Sequence, residues 1–417
     1  MVGQFFSLNE RNRFVIPWYP QGIWWRDIGL FRTARHYYNL LDQDRITVQA
    51  MGQQRPRILV FHLGTIGDTV VKIPALKAIR RHYGPDTEIS LLHETRPGII
   101  TTPADLLACS PEIDRFIGYP VAATAGRKLL LTVQVWWRLR HERFQAVVYL
   151  VHSERTARQV KRDARFFRWC GIPRLIGFRA FPQEFLYPVD ADGRPGRVKH
   201  EASCSLESLR LDGIDVSRET DLSRPFLRIP QRDLDETQQW LGLKRRQQGR
   251  MLVAICPGAK QPANFWQPER FIEIGQYLAE KRKYELIVVG GPAEAQTGDR
   301  MVKAWGEGLN AAGQFSVLGS AALLGQCAFC IGLDTGTTHL AAALGTPCVA
   351  LYGERDNPGR FEPLGEGHIV LRINVPCAGC RLILTPCPVA GHPCMMGIDV
   401  AMVRQAIDRI ETRLAEK

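Results

Sequence analysis

Apolar runs of strand length alternate with amphipathic stretches of helix length along most of this 417-residue chain. The first run, Arg57–Leu63, is continuously apolar and stops at Gly64, the pattern of a parallel strand buried on both faces. A helix is predicted over Val70–His82 and a strand over Glu88–His93. Further strands are predicted at Ala146–Val151 and Leu175–Phe178, with an arginine-studded helix, Glu154–Trp169, between them. A second alternating series begins at Met251. It predicts strand Leu252–Cys256, turn Pro257-Gly258, helix Pro268–Lys281, strand Leu286–Val289 and a helix near Asp299–Gly306. Strands Phe315–Leu318 and Phe329–Leu333, helix Thr337–Leu344 and strand Pro347–Tyr352 complete it, and a last helix, Ile398–Ala415, is able to join either series.

Two successive β/α series of similar size imply an α/β chain with two parallel sheets, each flanked by helices. Ligands are then expected at the carboxyl ends of the strands, in the cleft between the two domains. The boundaries are placed at 57–225 for the first domain, 226–249 for the linker and 250–417 for the second. Residues 1–56 stand apart, with ten aromatics in the first 38 positions. Trp24, Ile28, Phe31, Tyr38 and Leu41 recur at helical spacing between Arg26, Arg32 and Arg35. Such a helix either docks on the main body or lies in a membrane interface.

Composition excludes whole classes. With 45% hydrophobic and 23% charged residues the chain is neither disordered nor fibrous. Its 54 Lys+Arg against 42 Asp+Glu give +12, which calls for an anionic partner: nucleic acid, a membrane surface or a phosphorylated substrate. The excess is local, because residues 127–179 hold thirteen Lys/Arg against three acids, Glu142, Glu154 and Asp163. No apolar run reaches the ~18 residues of a membrane span, and Met1–Arg13 lacks a signal-peptide core, so a cytoplasmic protein is expected. Of eleven cysteines, Cys256, Cys327, Cys330 and Cys348 lie in strand-like runs and read as reduced, buried thiols.

Four motifs carry candidate chemistry. In His62-Leu-Gly-Thr-Ile-Gly-Asp68, Gly64 and Gly67 permit a tight strand-to-helix turn, which is not the dinucleotide fingerprint. Asp68 is either a helix cap or a general base presented to the cleft. In Asp334-Thr335-Gly336-Thr337-Thr338-His339, a strand, a small-residue turn and a helix follow in the order that aims free N–H groups at an anion. The third runs from Pro257-Gly258-Ala-Lys260 to Asn264-Phe-Trp266-Gln-Pro268, where Lys260 is either an exposed loop residue or a neutraliser of a leaving phosphate. The fourth is Cys377-x2-Cys380-x6-Cys387-x6-Cys394, within the Cys-rich segment 377–394, whose four thiols could ligate a structural zinc.

In their order along the chain, the Gly-Thr-Ile-Gly-Asp68 turn, the Trp-Gln-Pro-Glu-Arg-Phe run and Gly290-Gly291-Pro292 resemble the glycosyltransferase family 9 heptosyltransferases. The Asp334-Thr-Gly-x-x-His339 block with Pro347, and the segment ending Cys394-Met395, extend the likeness over roughly residues 57–410. The resemblance implies a GT-B architecture of two Rossmann-like domains and an inverting, metal-independent transfer with no required cofactor. It assigns Asp68 as base, while Lys260 is a candidate for the leaving group from its place in the third motif. It assigns Asp334, Thr335, Gly336, Thr337 and His339 to the diphosphate of the nucleotide-sugar donor, and Gly64, Thr65, Gly67, Gly258 and Asn264 are further donor-binding candidates. Where the family has Lys two residues before the Trp, this chain has Asn264. Either Lys260 substitutes, leaving-group stabilisation is weaker, or the donor differs.

The expected function is transfer of a sugar, heptose from ADP-heptose, to an anionic lipopolysaccharide-type acceptor at the inner face of the inner membrane, with Arg158, Arg162 and Arg165 on the acceptor side. One alternative is a GT-B nucleotide-sugar epimerase or hydrolase. Another is a nucleic-acid-binding protein, although the Arg-rich helix lacks an accompanying recognition module.

Overall fold

Every strand of the two sheets is parallel to its neighbours, and each sheet is a run of apolar strands joined by helices, as seen in a computed structural model that describes residues 55–95, 101–120, 125–245, 249–383 and 385–416. The aromatic stripe expected over Trp24–Leu41 lies outside the described residues. The chain from Arg55 onward forms one compact unit.

The first half runs β1 (Arg57–His62), α1 (Ile66–Val70), α2 (Ile73–Tyr83), β2 (Glu88–Thr95), α3 (Pro103–Leu107), β3 (Arg115–Pro120) and α4 (Ala125–Glu142). It continues through β4 (Ala146–Leu150), α5 (Ala157–Trp169), β5 (Arg174–Ile176), α6 (Gln183–Leu186), α7 (Glu201–Leu211) and α8 (Gln231–Lys244). The second half runs β6 (Leu252–Cys256), α9 (Pro268–Lys281), β7 (Glu285–Val288), α10 (Ala295–Trp305), β8 (Leu309–Asn310) and α11 (Val317–Leu324). It ends with β9 (Phe329–Leu333), α12 (Gly336–Ala343), β10 (Cys348–Leu351), β11 (Ile369–Leu371), α13 (Pro393–Met396) and α14 (Val400–Ala415).

The strand orders are β3-β2-β1-β4-β5 and β8-β7-β6-β9-β10-β11. Both place the first strand of the half at the centre and reverse direction there, which opens a crevice at the carboxyl ends of β1/β4 and of β6/β9. Strands β1, β4, β6 and β9 are apolar over nearly their whole length because helices cover both faces. One apolar cluster links the halves, running from Ile58, Val60 and Val148 to Ala254, Cys256 and Leu340. The last helix, α14, packs against α9, β10 and β11 and so belongs with the second sheet.

Two expectations are corrected. The strand predicted at Phe315–Leu318 is the start of α11, because the Ser316 hydroxyl accepts the Gly319 N–H at 2.9 Å and caps a helix there. The single helix predicted over Val70–His82 is two, α1 and α2, since the chain turns at Val71-Lys72 before Pro74 settles into a first helical turn. The range 226–249, expected as linker, carries α8, which packs on α11.

Candidate active site

Strand β1 ends at His62, and the turn beyond it is built around Asp68. Gly64 has φ +148° and a Cβ there would lie 2.4 Å from Asp68 Cβ, so only glycine lets the aspartate fold back over the turn. Asp68 Oδ2 then accepts the Thr65 N–H at 2.5 Å, closing a capping box on α1. Its other oxygen, Oδ1, faces His152 Nε2 at 3.4 Å. The cap and the cleft-facing role thus fall on different oxygens of one carboxylate. Burial pushes the Asp68 carboxyl up, but His152, the Thr65 N–H and hydroxyl, and His62 outweigh it and hold the group below the ordinary carboxylate range.

His152 follows β4 directly, and its ring meets Phe361, from the loop after β10, edge-on at 5.5 Å. The floor beneath it is a buried ion pair. Lys72 Nζ donates to Glu201 Oε1 at 2.6 Å and to Ser205 Oγ at 2.7 Å, while Glu201 accepts the Ser153 N–H at 2.8 Å and its hydroxyl at 2.6 Å. Burial pushes the Glu201 carboxyl up; Lys72, His152 and the Ser153 hydroxyl more than reverse it. Two neutral histidines complete this layer. Burial lowers both to about 4: His62 donates from Nδ1 to Leu150 O at 3.0 Å, and His200 donates from Nε2 to Glu362 O at 3.0 Å.

The second half contributes the facing wall. The N–H groups of Gly336, Thr337 and Thr338 at the start of α12 precede its first intrahelical bond, and Thr335 leaves the cap without a side-chain bond. The Thr335 and Thr337 hydroxyls lie 2.9 Å apart, and Thr338 Oγ1 is turned away to donate to Leu333 O at 2.6 Å. Asn264 Nδ2 donates to Asp334 Oδ2 at 3.0 Å, and His339 Nε2 lies 3.8 Å from Asp334 Oδ1. Asn264 Oδ1 and His339 Nδ1 are buried without a protein partner, the condition of groups that await water or ligand. Helices α1 and α12 touch: a Cβ at Gly67 would fall 2.9 Å from His339 Cδ2, and one at Gly336 would fall 3.3 Å from Ile66.

The structure brings Gly64, Thr65, Gly67, Asp68, Asn264, Asp334, Thr335, Gly336, Thr337 and His339 together where the two halves face each other. Lys260 stands exposed after β6, and Asn264 makes the contact to Asp334 instead. Gly258 leaves room for the Glu294 carboxylate, which a Cβ would meet at 2.8 Å. Arg158, Arg162 and Arg165 are exposed on α5, with Arg162 held by Asp163 at 2.6 Å.

Zinc is not indicated at the Cys-rich segment. Among the described residues no three His, Cys, Asp or Glu side chains are arranged to hold a metal. Cys394 is buried in the core of the second sheet, where Cys377 packs at the margin, while Cys380 is exposed. Cys256, Cys327, Cys330 and Cys348 are free and buried, as expected. Lys72, His152, Glu201 and Glu294 are not among the expected site residues. Only Glu294 has a local signal, the preceding Gly-Gly-Pro turn.

A β/α fold of two facing Rossmann-like halves, with an anion-ready helix N-terminus opposite a carboxylate, is the GT-B architecture. The model of glycosyltransferase family 9 (heptosyltransferase) matches residues 204–388. Lipopolysaccharide heptosyltransferase 1 of Pseudomonas aeruginosa is 28% identical over 331 residues, covering 78% of this chain and 86% of that protein. A family 9 glycosyl transferase structure from Veillonella parvula superposes with TM-score 0.64 at 19% identity, over 88% of this chain and 100% of that one. The E. coli ADP-heptose LPS heptosyltransferase II structure gives 0.58 at 18% identity, over 86% and 99%. Over most of its length the chain is similar to the heptosyltransferases of glycosyltransferase family 9. No helix among the described residues is long and apolar enough to cross a membrane.

Proposed function

We propose that the chain transfers heptose from ADP-heptose to a lipopolysaccharide-type acceptor with inversion at the anomeric carbon. The observation that carries this reading is the contact of α1 with α12, which holds the Asp68 carboxylate and the diphosphate cradle in one cleft. Asp68 takes the proton of an acceptor hydroxyl as its oxygen bonds to the anomeric carbon. The bond from that carbon to the diphosphate breaks, and the electron pair leaves with the nucleotide. Charge grows on the diphosphate, so the free N–H groups of α12 and the Thr335 and Thr337 hydroxyls favour the transition state over the ground state. The Glu294 carboxylate, beside the turn after β6, is placed to accept from ribose hydroxyls. Arg158, Arg162 and Arg165 would meet acceptor phosphates, and we retain the division into 57–225, 226–249 and 250–417. The E. coli ADP-heptose LPS heptosyltransferase II, which shares this fold, supports the choice of nucleotide sugar.

A donor panel tests the reading. ADP-heptose is expected to raise the melting temperature more than UDP-sugars do, and ADP release is expected only when a heptose-deficient lipopolysaccharide acceptor is added. Turnover of a UDP-sugar without acceptor would favour the epimerase or hydrolase alternative. A second expectation concerns Asn264. Leucine keeps its size but removes the donor to Asp334, a bond to a charged group worth about 1.5–3 kcal/mol. ADP-heptose binding by Asn264→Leu is expected to weaken by about ten- to a hundredfold in calorimetry.

A further inference from the structure

Helix α4 is apolar on the side where a surface helix should be polar. Its inner side is accounted for: Leu139 is buried, and Val135 and Trp136 pack against the outer core of the first sheet. Yet Leu129, Leu130, Val133 and Trp137 are 68%, 58%, 42% and 59% exposed. At the helical repeat these four share one sector of about 100°, turned away from Leu139. Trp169, the last residue of α5, is 56% exposed and extends the patch. It stacks on Trp136 at 4.8 Å, and the Trp136 indole N–H donates to Trp169 O at 3.2 Å.

The charge around this stripe has one sign. Arg127, Arg138, Arg140 and Arg143 are exposed along and just beyond α4, and Arg165 and Arg168 on α5. The acids of the region are occupied elsewhere. Glu142 is paired with Arg57 at 3.0 Å and Arg115 at 2.6 Å, and Asp163 is buried between Arg155, Arg162 and the Tyr149 hydroxyl. What remains outside is an apolar ridge rimmed by guanidinium groups.

We infer that this ridge is a membrane-docking surface that seats on an anionic phospholipid bilayer. Leu129, Leu130, Val133 and the two indoles would enter the boundary between headgroups and acyl chains, and the arginines would meet lipid phosphates, each adding to the attraction. A second copy is a poorer occupant. A two-fold contact would press the same positive rim against itself. Nucleic acid has no use for an exposed leucine stripe. The inference takes its purpose from the proposed transfer to a lipid-borne acceptor, since α4 leaves the sheet after β3, at the strand edge that carries Asp68 and His152. The surface itself is read independently of that transfer.

The test is co-sedimentation of the full-length chain with vesicles of phosphatidylcholine alone, or of an equimolar mixture with phosphatidylglycerol. Binding is expected to favour the anionic vesicles by about tenfold or more and to weaken with salt. Leu129→Ser with Leu130→Ser and Trp137→Ser should lower the affinity for anionic vesicles about tenfold or more, and so should Arg138→Glu with Arg168→Glu. The melting temperature and the stabilisation by ADP-heptose should remain at wild-type values, and they report on the proposed function separately. Wild-type vesicle binding by both variants, or equal binding to the two vesicle types, would overturn the inference. So would a loss of self-association in sedimentation velocity with vesicle binding unchanged.

Discussion

Asp68→Asn is expected to lower turnover by about a hundred- to ten-thousand-fold, the range for loss of a general base, while ADP-heptose still raises the melting temperature as in the wild type. Asparagine is the informative replacement. Its amide oxygen can still accept the Thr65 N–H that now meets Oδ2 at 2.5 Å, so the cap of α1 survives and only the basic oxygen facing His152 is lost. Alanine would also remove the Asp68 half of the capping box with Thr65, and so mix a folding effect into the rate. ADP release in the presence of acceptor measures the rate, and unchanged turnover would remove Asp68 from the role of base. The pH profile follows from the same surroundings. The carboxyl is held below its ordinary value, so it is ionised through the whole neutral range and its loss of activity lies below about pH 4. Its contribution to stability has the same sign. It is fully present above the unfolded-state value and is lost as pH falls through the lower folded one.

Lys72→Met is expected to destabilise the fold by about 3–5 kcal/mol, because it strands the Glu201 carboxylate in the interior without its counter-charge. Both partners are fully buried, and Glu201 keeps only the Ser153 N–H and hydroxyl once Lys72 is gone. The double variant Lys72→Met with Glu201→Gln is expected to recover much of the loss, since a neutral amide oxygen can still accept from Ser153. Urea midpoints of the two variants measure this, and equal midpoints would show that the ion pair is not what stabilises this layer. In the wild type Glu201 is held below its ordinary value, so acid removes the stability it supplies as pH falls through the folded value. In the single variant burial acts unopposed by lysine and raises the carboxyl. Its destabilisation should therefore shrink on mild acidification, the opposite direction.

Local pattern made much of this molecule legible. Strands β1, β4, β6 and β9 announce themselves as continuous apolar runs ending at small or polar residues, and the turns that follow them carry Asp68 and Asp334. Reading failed where period was absent or partners were distant. The start of α11 is apolar all round, so its helical repeat leaves no trace, and only the Ser316 cap marks its beginning. Helix α4 escaped for a related reason, because two apolar faces erase the contrast that marks an amphipathic helix. Lys72 and Glu201 are 129 positions apart, and no spacing rule connects a lysine in the turn before α2 to a glutamate opening α7. His152 is a single histidine after a strand, and it gains meaning only when Asp68 arrives 3.4 Å away.

The contact between α1 and α12 has a consequence for how such an enzyme can diversify. Gly67 and Gly336 bring main chain against the side chains of His339 and Ile66, where a Cβ would fall 2.9 and 3.3 Å away, so the two halves meet closely at these glycines. On the proposed mechanism, the distance from Asp68 to the start of α12 is held by this close packing, whichever side chains line the remaining cleft. Residues around the acceptor can then be exchanged to suit a different sugar hydroxyl while the reacting centre keeps its dimensions. Adding a single carbon at Gly67, where it would meet the His339 ring at 2.9 Å, is expected to alter that span for every acceptor at once.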